Sequence, residues 1–298
     1  MTDVISRKTP NQPVPPATPR VRTAVVSAPL AALKKTAAVF YGLPVLVLLG
    51  GFWSLGVRFG WTLPLGVQMQ FLPPPGEVAR RMWDVTFGGI HDDAYSGSLW
   101  RHLAASTLRV LNGFLLAAAL AIPLGVLMGR FGPVRRALET TVNLVRPIPV
   151  TAWAPLALLI IGYGDRSTIF LIFIAAFFPI LLNTVMGVAQ VPPRLLEAAA
   201  MLGTPQPKTL YKIIIPSAMQ SITSGLRIAL GLSWVVLVVG ETVGISTGLG
   251  AMITQARDMS RTDLIIAGMV FIGLAGFITD RLMGWILKVA TGSRPGLS

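Results

Sequence analysis

Long apolar runs, separated by short polar breaks rich in proline and glycine, set the pattern of this chain. Residues 36–57, 110–129 and 167–193 carry no charged side chain. Each reaches the roughly 20 apolar residues that a helix needs to cross a bilayer. Residues 138–162, 218–240 and 264–287 qualify when an occasional polar side chain is allowed. The pattern predicts an all-α, polytopic membrane protein with six transmembrane helices. A mean hydropathy of +0.68 and a charged fraction of 12% place the whole chain in the same class. The organisation follows from it: a proline-rich basic tail over 1–35, a first span over 36–57, an outer segment over 58–101, a core of five spans over 102–290 and a short tail over 291–298. In the outer segment Pro73–Pro75 end one element, and an interfacial helix is expected from Glu77 onward. Trp61, Trp83, Tyr95 and Trp100 suit the membrane–water boundary as anchors.

The most informative break is 190–216, between the fourth and fifth spans. Pro192 and Pro193 open a short helix, since proline at a helix start removes only an N–H that would be unpaired there. Gly203 ends it with a backbone that tolerates the left-handed region, and Pro205 and Pro207 prevent its continuation. A second short helix from about Lys208 is expected to stop at Pro216, where the fifth span begins. A helix–turn–helix held in water between two spans reads as a docking element. A second break, Arg146-Pro147-Ile148-Pro149 with Pro155, falls inside the third span. Irregular backbone at membrane depth requires protein or a water-filled cavity to receive its polar groups, so this stretch is expected to face the protein interior.

Charge then fixes an orientation. The net charge is +13, but the basic residues track the membrane and form no patch for nucleic acid. With an inside N-terminus, segments 1–35, 129–136, 190–216 and 288–298 hold fourteen Lys or Arg against Asp3 and Glu197, while 58–101, 162–167 and 241–263 hold seven Arg against eight acids. Lys/Arg bias marks the cytoplasmic side, so both termini and the Glu197 loop are expected inside. No apolar core follows a short charged start, so no cleavable signal peptide is expected. There is no cysteine, which removes thiolate chemistry and disulfides. His91 and His102 lack the spacing of a metal site.

Charges within the spans are costly and tend to face a pathway or a partner. Arg227 lies about 15 Å into the fifth span at 1.5 Å per residue, Arg146 falls within the third and Arg109 near the start of the second. With Trp153 and Glu241, these are candidates for a positively biased translocation path. Each arginine could equally cap helix carbonyls or pair with Glu139, Glu241 or Asp280. The Gly/Ser/Thr-rich stretch after Glu241 could form an outer gate, receive a partner or serve as a plain linker.

Glu197-Ala198-Ala199, then Gly203, then Ile213 and Ile215-Pro216, resembles the EAA loop of ATP-binding-cassette importer permeases, with Ile-Ile-Ile-Pro in place of the usual Ile-x-Leu-Pro. Leu72-Pro-Pro-Pro, His102 to Arg109, Arg146-Pro-Ile-Pro with Trp153-Ala-Pro-Leu, Phe177 to Thr184, Gly225 to Gly231 and Gly248-Leu-Gly250 are similar to the nitrate/sulfonate/taurine/bicarbonate group, from about Leu72 to Ala290. The resemblance implies a type I importer permease in a bacterial inner membrane, working by alternating access as a homodimer. It also implies cytoplasmic ATPase subunits as partners, docked at the first short helix, and a periplasmic or lipid-anchored solute-binding protein. ATP and magnesium would sit on the partner and no cofactor on this chain. The absence of a Gly-x-x-x-x-Gly-Lys-[Ser/Thr] phosphate loop agrees with that division of labour, and the chain is not expected to be an enzyme. The competing class is an ion-coupled secondary carrier with Glu241 or Asp280 as its proton site. It predicts inverted internal repeats, of which none is visible, and leaves the Glu197 loop without a purpose.

Overall fold

The computed structural model describes residues 44, 45 and 47–290. Residues up to Leu55 form one compact unit and those from Gly56 a second. Of the first unit, the described residues are mainly the opening turns of α1 (Val47–Arg58), in which Val47, Leu48, Leu49 and Phe52 are exposed. Of the expected span over 36–57, residues 44, 45 and 47–57 are described and the rest lies outside the described residues, as do the tails 1–35 and 291–298.

The second unit is helical apart from one antiparallel pair, β1 (Thr62–Leu63) with β2 (Val67–Gln68). Its elements are α2 (Pro75–Phe87), α3 (Leu99–Arg130), α4 (Gly132–Val145), α5 (Val150–Ile161), α6 (Asp165–Ala189), α7 (Pro193–Met201), α8 (Gln206–Thr209), α9 (Ile215–Glu241), α10 (Leu249–Asp258) and α11 (Thr262–Ala290). Among the described residues, four helical rods are long and apolar enough to cross a membrane: α3, α6, the continuous stretch from Gln206 to Glu241, and α11. α4 and α5 are long and apolar enough only as a pair, bent by 92° at their junction. The third expected span is therefore broken, and the break falls at Arg146–Pro149, where two prolines withdraw N–H donors from the helix.

α6 is the centre. Ile172, Ala176, Ile180 and Leu181 are fully buried because α3 covers one side of the helix and α9 the other. Small residues let the backbones approach, which in lipid replaces the hydrophobic drive between helices. At Gly125 of α3, an added Cβ would lie 2.7 Å from the Cβ of Thr184, and at Gly225 of α9 it would lie 2.6 Å from that of Asn183. α5 lies against α6 and α9 through Ala154, Ala157, Leu171, Ala175 and Val236. α10 and α11 pack beside the outer end of α9, and α2 packs on α11. In contrast, α4 buries no side chain at all.

Gly125→Ala should therefore lower thermal stability in detergent by about 1–3 kcal/mol, the usual cost of overpacking a tight contact. Gly231→Ala, with open space around it, should hold or raise the midpoint. Equal behaviour of the two would exclude close approach at Gly125 as a source of stability.

Candidate functional site

At the inner end, α7 carries the Glu-Ala-Ala motif. Ala199 is buried against the protein, whereas Glu197 and Ala198 face outward. The helix stops in a Schellman closure: the Thr204 N–H donates to the Ala199 carbonyl and the Gly203 N–H to that of Ala200, with Gly203 at φ +64°. The turn leaves Met201 and Leu202 88% and 82% exposed, with Tyr211 close behind at 70%. Three large exposed apolar side chains on this elbow form a surface for a partner to cover.

Beyond the elbow the expectation of a stop at Pro216 is corrected. α8 runs through a π-helical turn, Leu210–Ile214, straight into α9. The Ile215 N–H reaches back five residues to the Leu210 carbonyl, so the wider turn takes up the ring of Pro216, which brings no N–H of its own. Ile213 is half-buried and Pro216 is exposed in the first turn of α9.

Between α4 and α6 runs a groove of about 570 Å³. One wall is a stripe on α4 and its C-terminal cap, Arg135, Glu139, Asn143 and Arg146, spaced by four, four and three residues and so on one helical face. The other wall is α6, from Met186 at the inner end past Asn183 to Ile174. Arg135 and Glu139 bond each other at 3.3 Å. Arg146 has no acidic partner among the described residues. Trp153 is half-buried on α5, and its indole N–H is enclosed with no hydrogen-bond partner.

The other candidate arginines are paired. Arg227 of α9 makes a two-pronged bond to Asp280 of α11, Nε to Oδ1 at 2.9 Å and Nη2 to Oδ2 at 2.7 Å. Arg109 is buried and bridges Glu241 of α9, Asp165 of α6 and the Thr247 carbonyl. Glu241, 1% exposed, also receives Ser106 Oγ and the Gly250 N–H at 2.8 Å each. Ser106 Oγ in turn accepts the Leu249 N–H at 2.8 Å, and His102 Nδ1 sits 3.0 Å from Gly248. Glu241 and Ser106 thus cap the first turn of α10 from neighbouring helices, satisfying N–H groups that a helix start leaves open. The stretch after Glu241 is a run of turns over 242–248 that leads into α10, whose first turn is tied to the buried Arg109–Glu241 pair. The proton sites that a secondary carrier would need, Glu241 and Asp280, are both engaged by arginine.

A second ionic cluster fastens the outer segment. Buried Arg81 of α2 bonds Asp84 and Asp93, and Arg261 before α11 bonds Asp93 at 2.6 Å. Burial alone would raise the Asp93 pKa, but the bonds from Arg261 and Arg81 outweigh it and hold the carboxyl down to about 2. Tyr95, expected as a surface anchor, is buried and donates to Gln255 of α10 at 3.0 Å. Sequence reading passed over this clamp, the α10 cap and the α4 stripe. Only the stripe had a legible signal, its helical spacing.

The profile described as "Binding-protein-dependent transport system inner membrane component" matches residues 121–289, more than half of the chain, from the inner half of α3 through the elbow to α11. The chain belongs to this family. Among its relatives, a putative ABC transporter permease protein of Methanocaldococcus jannaschii is 47% identical over 64% of this chain and 72% of its own length. The taurine transport system permease protein TauC of Escherichia coli K12 is 35% identical over 78% and 82%. The bicarbonate transport system permease protein CmpB of Synechococcus elongatus is 36% identical over 64% and 69%. The protein is thus the permease component of a binding-protein-dependent ATP-binding-cassette importer. Its partners are an ATPase, which is a separate subunit, and a solute-binding protein.

In this permease, Arg109→Gln or Glu241→Gln alone should cost about 3–5 kcal/mol, the usual penalty for leaving one member of a buried pair uncompensated. The double substitution should recover part of that loss. Thermal unfolding of the three variants in detergent measures it, and strictly additive losses would exclude the coupling.

Proposed function

We propose that this permease imports a small oxyanion of the taurine, sulfonate, bicarbonate or nitrate kind, by alternating access between two copies of the chain. The observation that carries the reading is the pairing of an unneutralised Arg146 in an inner groove with relatives named for taurine and bicarbonate transport. Arg135 and Glu139 cancel, so the groove keeps one net positive charge at the bend of the broken span. α4 rests Val134, Leu138 and Val142 on the core, and its polar stripe favours a second copy of the chain closing the groove, since a polar helix face gains nothing from lipid. The bias of Lys and Arg supports cytoplasmic termini and a cytoplasmic elbow. ATP and magnesium belong to the partner ATPase, and Glu197, Ala198, Ala199 and the exposed Met201–Leu202 step form the surface it meets.

Uptake of radiolabelled taurine, ethanesulfonate, bicarbonate and nitrate into vesicles or proteoliposomes holding the whole transporter tests this reading. Uptake of at least one anion should require ATP and survive a protonophore. Uptake that follows the proton gradient would refute it. Glu197→Lys should cut ATP-driven uptake at least tenfold and weaken retention of the ATPase on the affinity-purified permease. Full uptake in that variant would remove Glu197 from the docking surface.

A further inference from the structure

α4 is an odd helix for a membrane. Arg135, Arg136, Glu139, Thr140, Thr141 and Asn143 fall within its 14 residues, and none of its side chains is buried. Charged and amide groups at such depth face water, protein or a partner rather than hydrocarbon. Four polar residues collect on one face, and that face lines the groove. From Met186 to Ile174 the α6 wall covers twelve helical rises, about 18 Å at 1.5 Å per residue, so the groove runs from the C-terminal end of α6 to its middle. Arg146 stands at the deep end of the α4 stripe, where the helix breaks. Asn143 lies almost one turn before it. Asn183 faces the groove from α6, with one amide N–H held by the Pro179 carbonyl at 2.8 Å and the other left for a ligand.

The three deep arginines divide cleanly. Arg109 and Arg227 are neutralised by acids, and a neutralised pair exerts little field on a passing ion. Arg146 is not neutralised, and it is the one that lines open space. An arginine fork with amide N–H groups nearby suits the trigonal or tetrahedral oxygens of carboxylate-, carbonate-, nitrate- or sulfonate-like groups.

We propose that Arg146, with Asn143 and Asn183, is a charge filter borne by the permease itself, an oxyanion contact point in the inner groove that adds to whatever selection the binding protein makes. As a filter for transported solute it rests on the anion-import reading; as an anion-attracting, water-filled site it does not.

The cysteine-free chain allows a direct test. Asn183→Cys and, separately, Asn143→Cys are made in the full-length chain in mild detergent. Each is treated with two methanethiosulfonate reagents of similar size, an anionic ethylsulfonate and a cationic ethyltrimethylammonium. Both transfer their thioalkyl group to the cysteine thiolate as a mixed disulfide, with methanesulfinate leaving. The ratio of anionic to cationic rate is read, because any change in thiolate fraction affects both reagents alike. Adding Arg146→Gln should lower that ratio about five- to tenfold, the scale of one unit charge several ångströms away in a wet groove. Arg146→Lys should restore most of it, and Arg136→Gln, which removes a charge outside the groove lining, should leave it unchanged. An unchanged ratio with Arg146→Gln, an equal fall with Arg136→Gln, or failure of both reagents to reach either cysteine would overturn the proposal. The labelling requires no transport, so a failed import reading and a failed filter give separate results.

Discussion

Inside a bilayer every backbone N–H and C=O must find a partner within the protein or in trapped water, and the placement of every break in this chain obeys that demand. The long rods α3, α6, the Gln206–Glu241 stretch and α11 satisfy most of their own backbone groups, with Pro123 in α3 and Pro179 in α6 each withdrawing one N–H. Among the described residues, the sharp break between α4 and α5 lies beside a groove wide enough for water. The start of α10, which follows a turn at the outer end of α9, is capped by Ser106 and Glu241 from two other helices. Where Pro216 threatens a continuous rod, a π-helical turn keeps it continuous. Helix packing, which brings Gly125 and Gly225 close to α6, is built around these requirements.

Charge obeys a related rule. Buried or half-buried arginines cost free energy unless paired, and Arg81, Arg109, Arg227 and Arg261 all have carboxylates. These pairs join elements distant in sequence: α2 to the turn before α11, α3 to α6 and α9, and α9 to α11. They are the stitching of the fold. Arg146 stands apart, and its lack of an acid coincides with an open cavity. The coincidence of missing partner and empty space separates a group that holds the protein together from one available to a ligand.

Much of the fold was legible in sequence because hydrophobic length and proline position act locally. The spans α6 and α9, the elbow and its Gly203 turn could be read from residues adjacent in the chain, and the Glu197-Ala198-Ala199 motif with them. The ionic network was legible only as an alternative: Glu241 and Asp280 stood among the acids open to the arginines, but which acid meets which arginine is a tertiary fact, with Arg109 and Glu241 132 positions apart. Depth within a span, which drew attention to Arg227, reports the cost of a charge but not whether it has been met. The stop expected at Pro216 failed for a different reason. Proline removes a donor and adds bulk, but a helix already widened to five-residue bonds accommodates both, and that choice is made by packing around buried Ile214. Tyr95, taken for a boundary anchor on composition alone, turned inward because Gln255 offered its hydroxyl a partner.

The uninterrupted helix from Gln206 to Glu241 has a mechanical consequence. Its 36 residues make a beam about 54 Å long at 1.5 Å per residue, with its lower end at the elbow and its upper end gripping α10 through Glu241. It rests on α6 from Ser221 beside Gly187 to Gly240 beside Thr168, so the two helices form one stiff body, and a displacement at the elbow end reaches the α10 end without a relay of side chains between them.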